Sequence, residues 1–208
     1  MTESDVSHPL VARVYDAVVV DPLFGTHRQY VTEGLEGSVL DLGTGTGRNL
    51  PHVDEQPEVT GVVGVEPDPH MRARAARRVQ GLETPIDLVD GRGERLPYPD
   101  ESFDAVLAGM VFCTIEDPAA ALEEVVRVLE PGGEFRFFEH VHADGTVGTS
   151  QRLLEPAWRR LAGGCHLTRD TVELFAGHPD LDVLEMERTG RGIYPATPLV
   201  RGRLRRRS

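Results

Sequence analysis

A chain of 208 residues, 39% hydrophobic and 27% charged, holds enough apolar side chain for one packed domain and too much for a disordered one. Its 34 acidic residues outnumber 22 basic ones, and the net charge of −12 repels nucleic acid phosphates and anionic lipid, arguing against both as partners. Two cysteines, Cys113 and Cys165, make neither a disulfide framework nor a four-ligand zinc site, so no metal is expected.

Every basic residue is Arg, and Arg201, Arg203, Arg205, Arg206 and Arg207 crowd the end of the chain. Residues 201–208 therefore read as an Arg-rich, solvated tail. Abundant carboxylates without Lys fit a cytoplasm of molar salt as well as a genome that favours Arg codons. No apolar run approaches the roughly 18 residues of a membrane span. Met1–Pro9 is polar and acidic, unlike a secretory or transit peptide, and the expected location is the cytoplasm.

In chain order, Val11–Val18 predicts a helix. Ser38–Leu42, Val59–Glu66, Pro85–Val89, Phe103–Ala108 and Glu134–His140 predict five buried strands. Met71, Ala75, Val79 and Leu82 fall at helical spacing after Pro69, and Leu122, Val125, Val126 and Leu129 do so after Pro118. Leu153, Leu154, Ala157, Trp158 and Leu161 mark a further helix, and Thr168 reads as the cap of a shorter one. Leu181–Glu187 and Gly192–Ala196 are candidate closing strands. Strand–helix alternation implies right-handed crossovers and a parallel sheet covered on both faces. Ligands bind such sheets beyond the C-terminal ends of the strands, so the loops at 43–48, 66–71, 91–95, 108–115 and 139–150 should hold the chemistry.

The first of these loops follows Val39-Leu40-Asp41-Leu42 and reads Gly43-Thr44-Gly45-Thr46-Gly47. Glycines at alternate positions let the backbone turn tightly and meet a ligand closely. The spacing differs from the Gly-x-Gly-x-x-Gly of dinucleotide folds, and no Gly-Lys-Ser/Thr follows for a nucleotide phosphate. Glu66, ending the second strand 19 residues after Gly47, is placed to accept both hydroxyls of a ribose. It also reads as an acid at a helix N-terminus. Loop and acid together suit a ribose-bearing ligand without a phosphate cradle, and S-adenosylmethionine fits.

Val39–Gly47, Gly64-Val65-Glu66-Pro67, Leu96–Asp104 and Glu124–Gly133 occur in the order seen in class I S-adenosylmethionine-dependent methyltransferases with a UbiE-like core, which the chain resembles over roughly 38–140. The resemblance implies a Rossmann-like α/β sheet of about seven strands, mostly parallel, with helices on both faces. It implies one domain over 1–200, with lid helices in 1–37, a cofactor core over 38–140 and acceptor-side elements over 141–200. It places Asp41, Gly43, Thr44, Gly45 and Gly47 at the methionine part of the cofactor and Glu66 with Pro67 at its ribose. Gly93 and Glu94 then lie along adenine, where Arg92 replaces the family's usual Asp, and Ala108 and Gly109 lie near the cofactor. Tyr15 is the candidate aromatic over the methyl.

Phe138-Glu139-His140-Val141, Leu154-Glu155-Pro156-Ala157-Trp158 and Gly164-Cys165-His166-Leu167-Thr168-Arg169 resemble the methyltransferase-like thiol S-methyltransferases. The implied acceptor is a small molecule, a thiol by this narrower resemblance. The core fits quinone, amine and phospholipid methyltransferases too, and a cofactor-binding protein without turnover. Glu139 and His140, leaving the fifth strand at the ligand edge, are the candidate proton acceptors, or else pin the loop there. Cys113 reads as a small packing residue. Cys165, His166 and Arg169 are candidates to line the acceptor pocket.

Overall fold

The computed structural model describes residues 21–190 and 192–208, together with Ser7, Pro9 and Ala12. Apart from Ala12, the helix expected over 11–18, Tyr15 included, lies outside them. The strands are β1 (Glu36–Leu42), β2 (Glu58–Val65), β3 (Ile86–Val89), β4 (Phe103–Gly109), β5 (Leu129–His140), β6 (Leu181–Thr189) and β7 (Leu199–Arg206). The helices among them are α1 (Asp21–Thr32), α2 (Leu50–Asp54), α3 (Pro69–Arg78), α4 (Pro118–Val128), α5 (Gly145–Leu161) and α6 (Thr171–Ala176). One seven-stranded sheet has the order β3-β2-β1-β4-β5-β7-β6. Its first five strands run parallel, and β7 pairs antiparallel with both β5 and β6.

Successive strand residues point to opposite faces, and both faces are apolar. Val39, Ala105 and Leu107 pack with Phe24 and Val31 of α1 and with Leu50 and Val53 of α2. Leu40, Leu42, Val106 and Ala108 pack on the other side with Leu122 and Val125 of α4 and Phe175 of α6. The strand order reverses between β1 and β4, so their C-terminal ends part and open a crevice there.

Asp-Pro opens both α3 and α4. Asp68 accepts from His70 N (2.8 Å) and Met71 N (3.3 Å) ahead of α3, and Asp117 from Ala119 N (3.1 Å) and Ala120 N (3.0 Å) ahead of α4. Each carboxylate satisfies amides that the first turn leaves without a helical partner, and the proline supplies the position that needs no N–H. The cap of α6 is Asp170, which accepts from Glu173 N; Thr168, expected there, lies before it.

Three expectations are corrected. Residues 201–208 are not a solvated tail, since most of them form β7 inside the sheet. Val200 and Leu204 are buried, Arg203 between them donates to Tyr30 O (2.8 Å), and other arginines of the segment are met by carboxylates: Arg201 by Glu187 (2.6 Å), Arg205 by Glu134 (3.1 Å), and beyond the strand Arg207 by Asp182 (2.8 Å). Gly192–Ala196 is no strand; Ile193 and Ala196 form a single bridge that precedes β7. On α5, Leu153 and Leu161 are 81% and 78% exposed, so its apolar stripe does not face the core.

The position of β7 is testable. Leu204→Ala should lower the free energy of urea unfolding by roughly 2–5 kcal/mol, the range for truncating a buried leucine. Arg207→Ala should leave the unfolding midpoint unchanged. A tail free in solvent predicts no effect from either.

Candidate active site

The ends of β1, β2 and β4 and the loops that follow border a cavity of about 440 Å³. Its first wall is the glycine loop. Gly43, Gly45 and Gly47 have φ of +62°, +58° and +78°, a left-handed path that side chains disfavour. At Gly43 a Cβ would lie 2.1 Å from Val111 Cγ2, and at Gly47 one would lie 3.1 Å from Ala75 of α3, so the loop is wedged between its neighbours. Thr44 N donates to Val65 O (3.1 Å), and Arg78 reaches back from α3 to Thr46.

Glu66 is the second wall. Its Oε2 accepts from Gly45 N (2.9 Å) and its Oε1 from Asp68 N (2.8 Å), which locks the β2 end to the glycine loop. Burial pushes its carboxyl up to about 7 against the pull of those amides. Each oxygen keeps lone-pair capacity for a further donor, as two ribose hydroxyls would require. Pro67, Asp68 and Met71 continue this side, and Gly91, Arg92, Gly93, Glu94 and Ile115 face it.

Not every residue predicted from sequence lines the cavity. Asp41 is wholly buried beneath the loop, where it accepts from Thr44 Oγ1 (2.5 Å) and Asn49 Nδ2 (2.9 Å). Burial raises its carboxyl to about 6. It therefore acts through the loop it braces. Gly47 serves packing. Ala108 is fully buried in the sheet, while Gly109 and Thr44 line a smaller recess beside Asn49 and Phe138. Glu94 borders the cavity, yet its Oε1 accepts from Glu116 N (3.0 Å) and Asp117 N (3.3 Å) at the start of α4. Arg92 stands 3.7 Å from Glu116.

Glu139 and His140 are fully buried and do not line the cavity. Glu139 Oε1 accepts from Val111 N (2.7 Å) and Phe112 N (2.9 Å), fixing the loop after β4, and burial raises its carboxyl to about 7. His140 Nε2 meets Cys165 Sγ at 3.0 Å. Arg169 turns inward to Phe112 O (2.6 Å) and also holds Ile115 O, so it too braces that loop. Of the C-terminal candidates His166 borders the cavity, beside Thr114, Arg159, Gly163 and Gly164. Its Nδ1 is 3.1 Å from Glu155 Oε1. Burial, with the charges of Arg169 and Arg159, lowers its pKa against the opposing pull of Glu155.

The donor set suits a nucleoside that carries no phosphate. Glu66, Asp68, Glu94 and Glu116 outnumber Arg92 and Arg159 around the cavity, a lining of net negative charge that favours hydroxyl donors and positive charge. The methyltransferase domain family matches residues 40–137. Phosphatidylethanolamine N-methyltransferase of Cereibacter sphaeroides is 32% identical over 152 residues, covering 72% of both chains. The chain belongs to the class I S-adenosylmethionine-dependent methyltransferases. Rat (Rattus norvegicus) thiol S-methyltransferase TMT1B is 36% identical over 144 residues, 65% of this chain and 57% of that one, so the match spans less than two thirds of that relative. The fold is shared with the N-methyltransferase NodS of Bradyrhizobium japonicum WM9, solved with S-adenosyl-L-homocysteine, at a TM-score of 0.70 and 17% identity over 94% of this chain and 91% of that one.

S-adenosylmethionine is the cofactor of this methyltransferase, and the glycine loop with Glu66 is where the residues fit it. No helix among the described residues is long and apolar enough to cross a membrane. With both ribose hydroxyls on Glu66, affinity for S-adenosylhomocysteine would rise between pH 6.5 and 8.5, as the carboxyl ionises around 7. Calorimetric titration of Glu66→Gln at pH 8.5 should show a loss of roughly 1–3 kcal/mol and a flatter pH profile. Equal affinity of variant and parent at pH 8.5 would remove Glu66 from ribose binding.

Proposed function

We propose that this methyltransferase methylates a small thiol, with His166 taking the thiol's proton. One observation carries the reading. The cavity that has Glu66 and the glycine loop on one side is closed on the other by Thr114, Gly163, Gly164 and His166. Gly164 and His166 belong to the segment 164–169 through which the chain resembles thiol S-methyltransferases, and the rat relative named above bears that activity in its name.

When bound, S-adenosylmethionine supplies an electrophilic methyl carried on a sulfonium. The chain's own residues hold and orient the site. Glu66 would hold the ribose end and the glycine loop would lie along the methionine part, and the carboxylates bordering the cavity favour positive charge. Met71 and Ile115 supply apolar wall, and residues of the 110–115 and 159–166 segments border the acceptor side. His166 is oriented by Glu155, which accepts from Nδ1–H and leaves Nε2 as proton acceptor. A thiol with pKa near 8.5 is already a few per cent thiolate at neutral pH, so a neutral imidazole is base enough. Glu139 and Arg169 are positioning residues, since both hold the 111–115 loop by its backbone. His140, expected as a base, is assigned no contact with the acceptor.

An amine acceptor is the second reading, favoured by the Cereibacter sphaeroides relative. Production of S-adenosylhomocysteine with a simple alkyl thiol, a matched amine, and ethanolamine phospholipid vesicles separates the two. Thiol-dependent turnover is expected. His166→Ala should lower kcat/KM at pH 7 by roughly 10- to 30-fold, a ceiling set by the few per cent of thiolate already present, with the deficit shrinking above the thiol's own pKa as thiolate forms without help. Turnover with amine or vesicle alone would refute the thiol reading, and a deficit equal at pH 7 and pH 9.5 would refute His166 as the base.

A further inference from the structure

Cys113, His140 and Cys165 come from three separate elements: the loop after β4, the end of β5 and the loop after α5. They meet in the interior with 2%, 0% and 8% of their surface exposed. The two Sγ atoms and a ring nitrogen of His140 all lie within 4.8 Å of one another. His140 Nε2 stands 3.0 Å from Cys165 Sγ, and Trp158 Nε1 donates to the same sulfur at 3.2 Å. Both thiols are free, and His140 Nδ1 has no hydrogen-bond partner. Filling an apolar gap needs none of this. Aliphatic side chains would pack there without burying an imidazole nitrogen, whose desolvation is unfavourable unless a partner repays it.

We propose that Cys113, His140 and Cys165 form a binding site for one soft divalent cation of the zinc class. Sulfur and imidazole nitrogen are the donors zinc prefers, at about 2.3 Å and 2.0–2.1 Å in a tetrahedron. Such bonds separate neighbouring donors by roughly 3.5–4 Å. The His140–Cys165 pair need open only slightly, and the rest of the cluster contract slightly, through side-chain torsions alone. The indole N–H of Trp158 is the kind of outer donor that steadies a metal-bound thiolate.

Among the described residues no fourth His, Cys, Asp or Glu joins the group. Three protein donors leave one tetrahedral position for water or an added thiol, as in catalytic rather than structural zinc sites. Binding releases two protons: one from the Cys113 thiol, and one shared between Cys165 and His140. The cluster backs onto the cavity wall, because His166 N donates to Cys113 O at 2.8 Å. The site does not depend on the identity of the methyl acceptor. Counting cysteines along the chain led to no metal being expected; His140 joins the two thiols only through the fold.

The test uses the full chain, reduced and free of oxygen, titrated with Co²⁺ and then Zn²⁺. One equivalent of Co²⁺ should give sulfur-to-metal charge-transfer bands and tetrahedral visible bands, and one equivalent of Zn²⁺ should abolish both. Zn²⁺ should also slow the reaction of the two cysteines with a thiol reagent by at least about tenfold, a clean readout because the chain has no others. Cys113→Ser and His140→Gln should each weaken Co²⁺ binding by about 100-fold or more. S-adenosylhomocysteine binding shows whether each variant is folded; should one fail, the spectrum and thiol protection of the parent chain decide alone. A weak octahedral spectrum, thiols that react at one rate with and without Zn²⁺, or folded variants that bind Co²⁺ as the parent does would overturn the proposal. So would a chain that forms a Cys113–Cys165 disulfide, seen as the loss of two hydrogens, and takes up no metal after reduction.

Discussion

A carboxylate leaves water at the end of a β-strand only where donors are waiting for it, and three such carboxylates organise this molecule. Glu66 is held by the amides of Gly45 and Asp68, Asp41 by Thr44 and Asn49, and Glu139 by the amides of Val111 and Phe112. Each one ties a strand end to a loop that borders the crevice. The Glu66 contact matters most, because it joins the glycine loop after β1 to the turn after β2 and so sets one wall of the cavity.

The energetics explain why these groups sit near a change of protonation. Burial raises Asp41 to about 6 and both Glu66 and Glu139 to about 7, while backbone and side-chain donors pull the other way. A ligand that donates hydroxyls to Glu66 adds to the donor side of that balance. Cofactor binding and carboxylate ionisation are therefore linked, and the linkage has a definite sign: proton and ligand compete. The wall opposite Glu66 is assembled by a second set of braces. Glu139 and Arg169 hold the 111–115 loop from both sides, and Glu155 holds Leu167 N at 2.6 Å as well as His166.

Much of the sheet was legible in the sequence because its strands are buried on both faces and so appear as short apolar runs ended by glycine or proline. The loop over 43–47 was legible because positive φ demands a narrow choice of residue, and Glu66 stood out as an acid at the end of a strand. Residues 199–206 misled for a physical reason. Val200, Gly202 and Leu204 follow the period of a strand, but the arginines between them outweighed that pattern, and their partners Glu187 and Glu134 lie far away in sequence. Glu139 and His140 were placed at the correct edge, yet which way a side chain turns at a strand end is set by neighbours such as Val111 and Cys165. Asn49, Met71, Thr114 and Ile115 carry no signature of their own, because any residue of similar size and polarity satisfies a pattern. Cys113 looked like filler for the same reason: its partners His140 and Cys165 are brought to it only by the crossovers.

The most direct test of the account is an experimental structure of the chain with S-adenosylhomocysteine. The account predicts the nucleoside in the cavity between the glycine loop and residues 91–94, with both ribose hydroxyls on Glu66 and the homocysteine sulfur facing the wall that carries Thr114 and His166. A nucleoside bound elsewhere, or one seated there with its ribose turned away from Glu66, would contradict it.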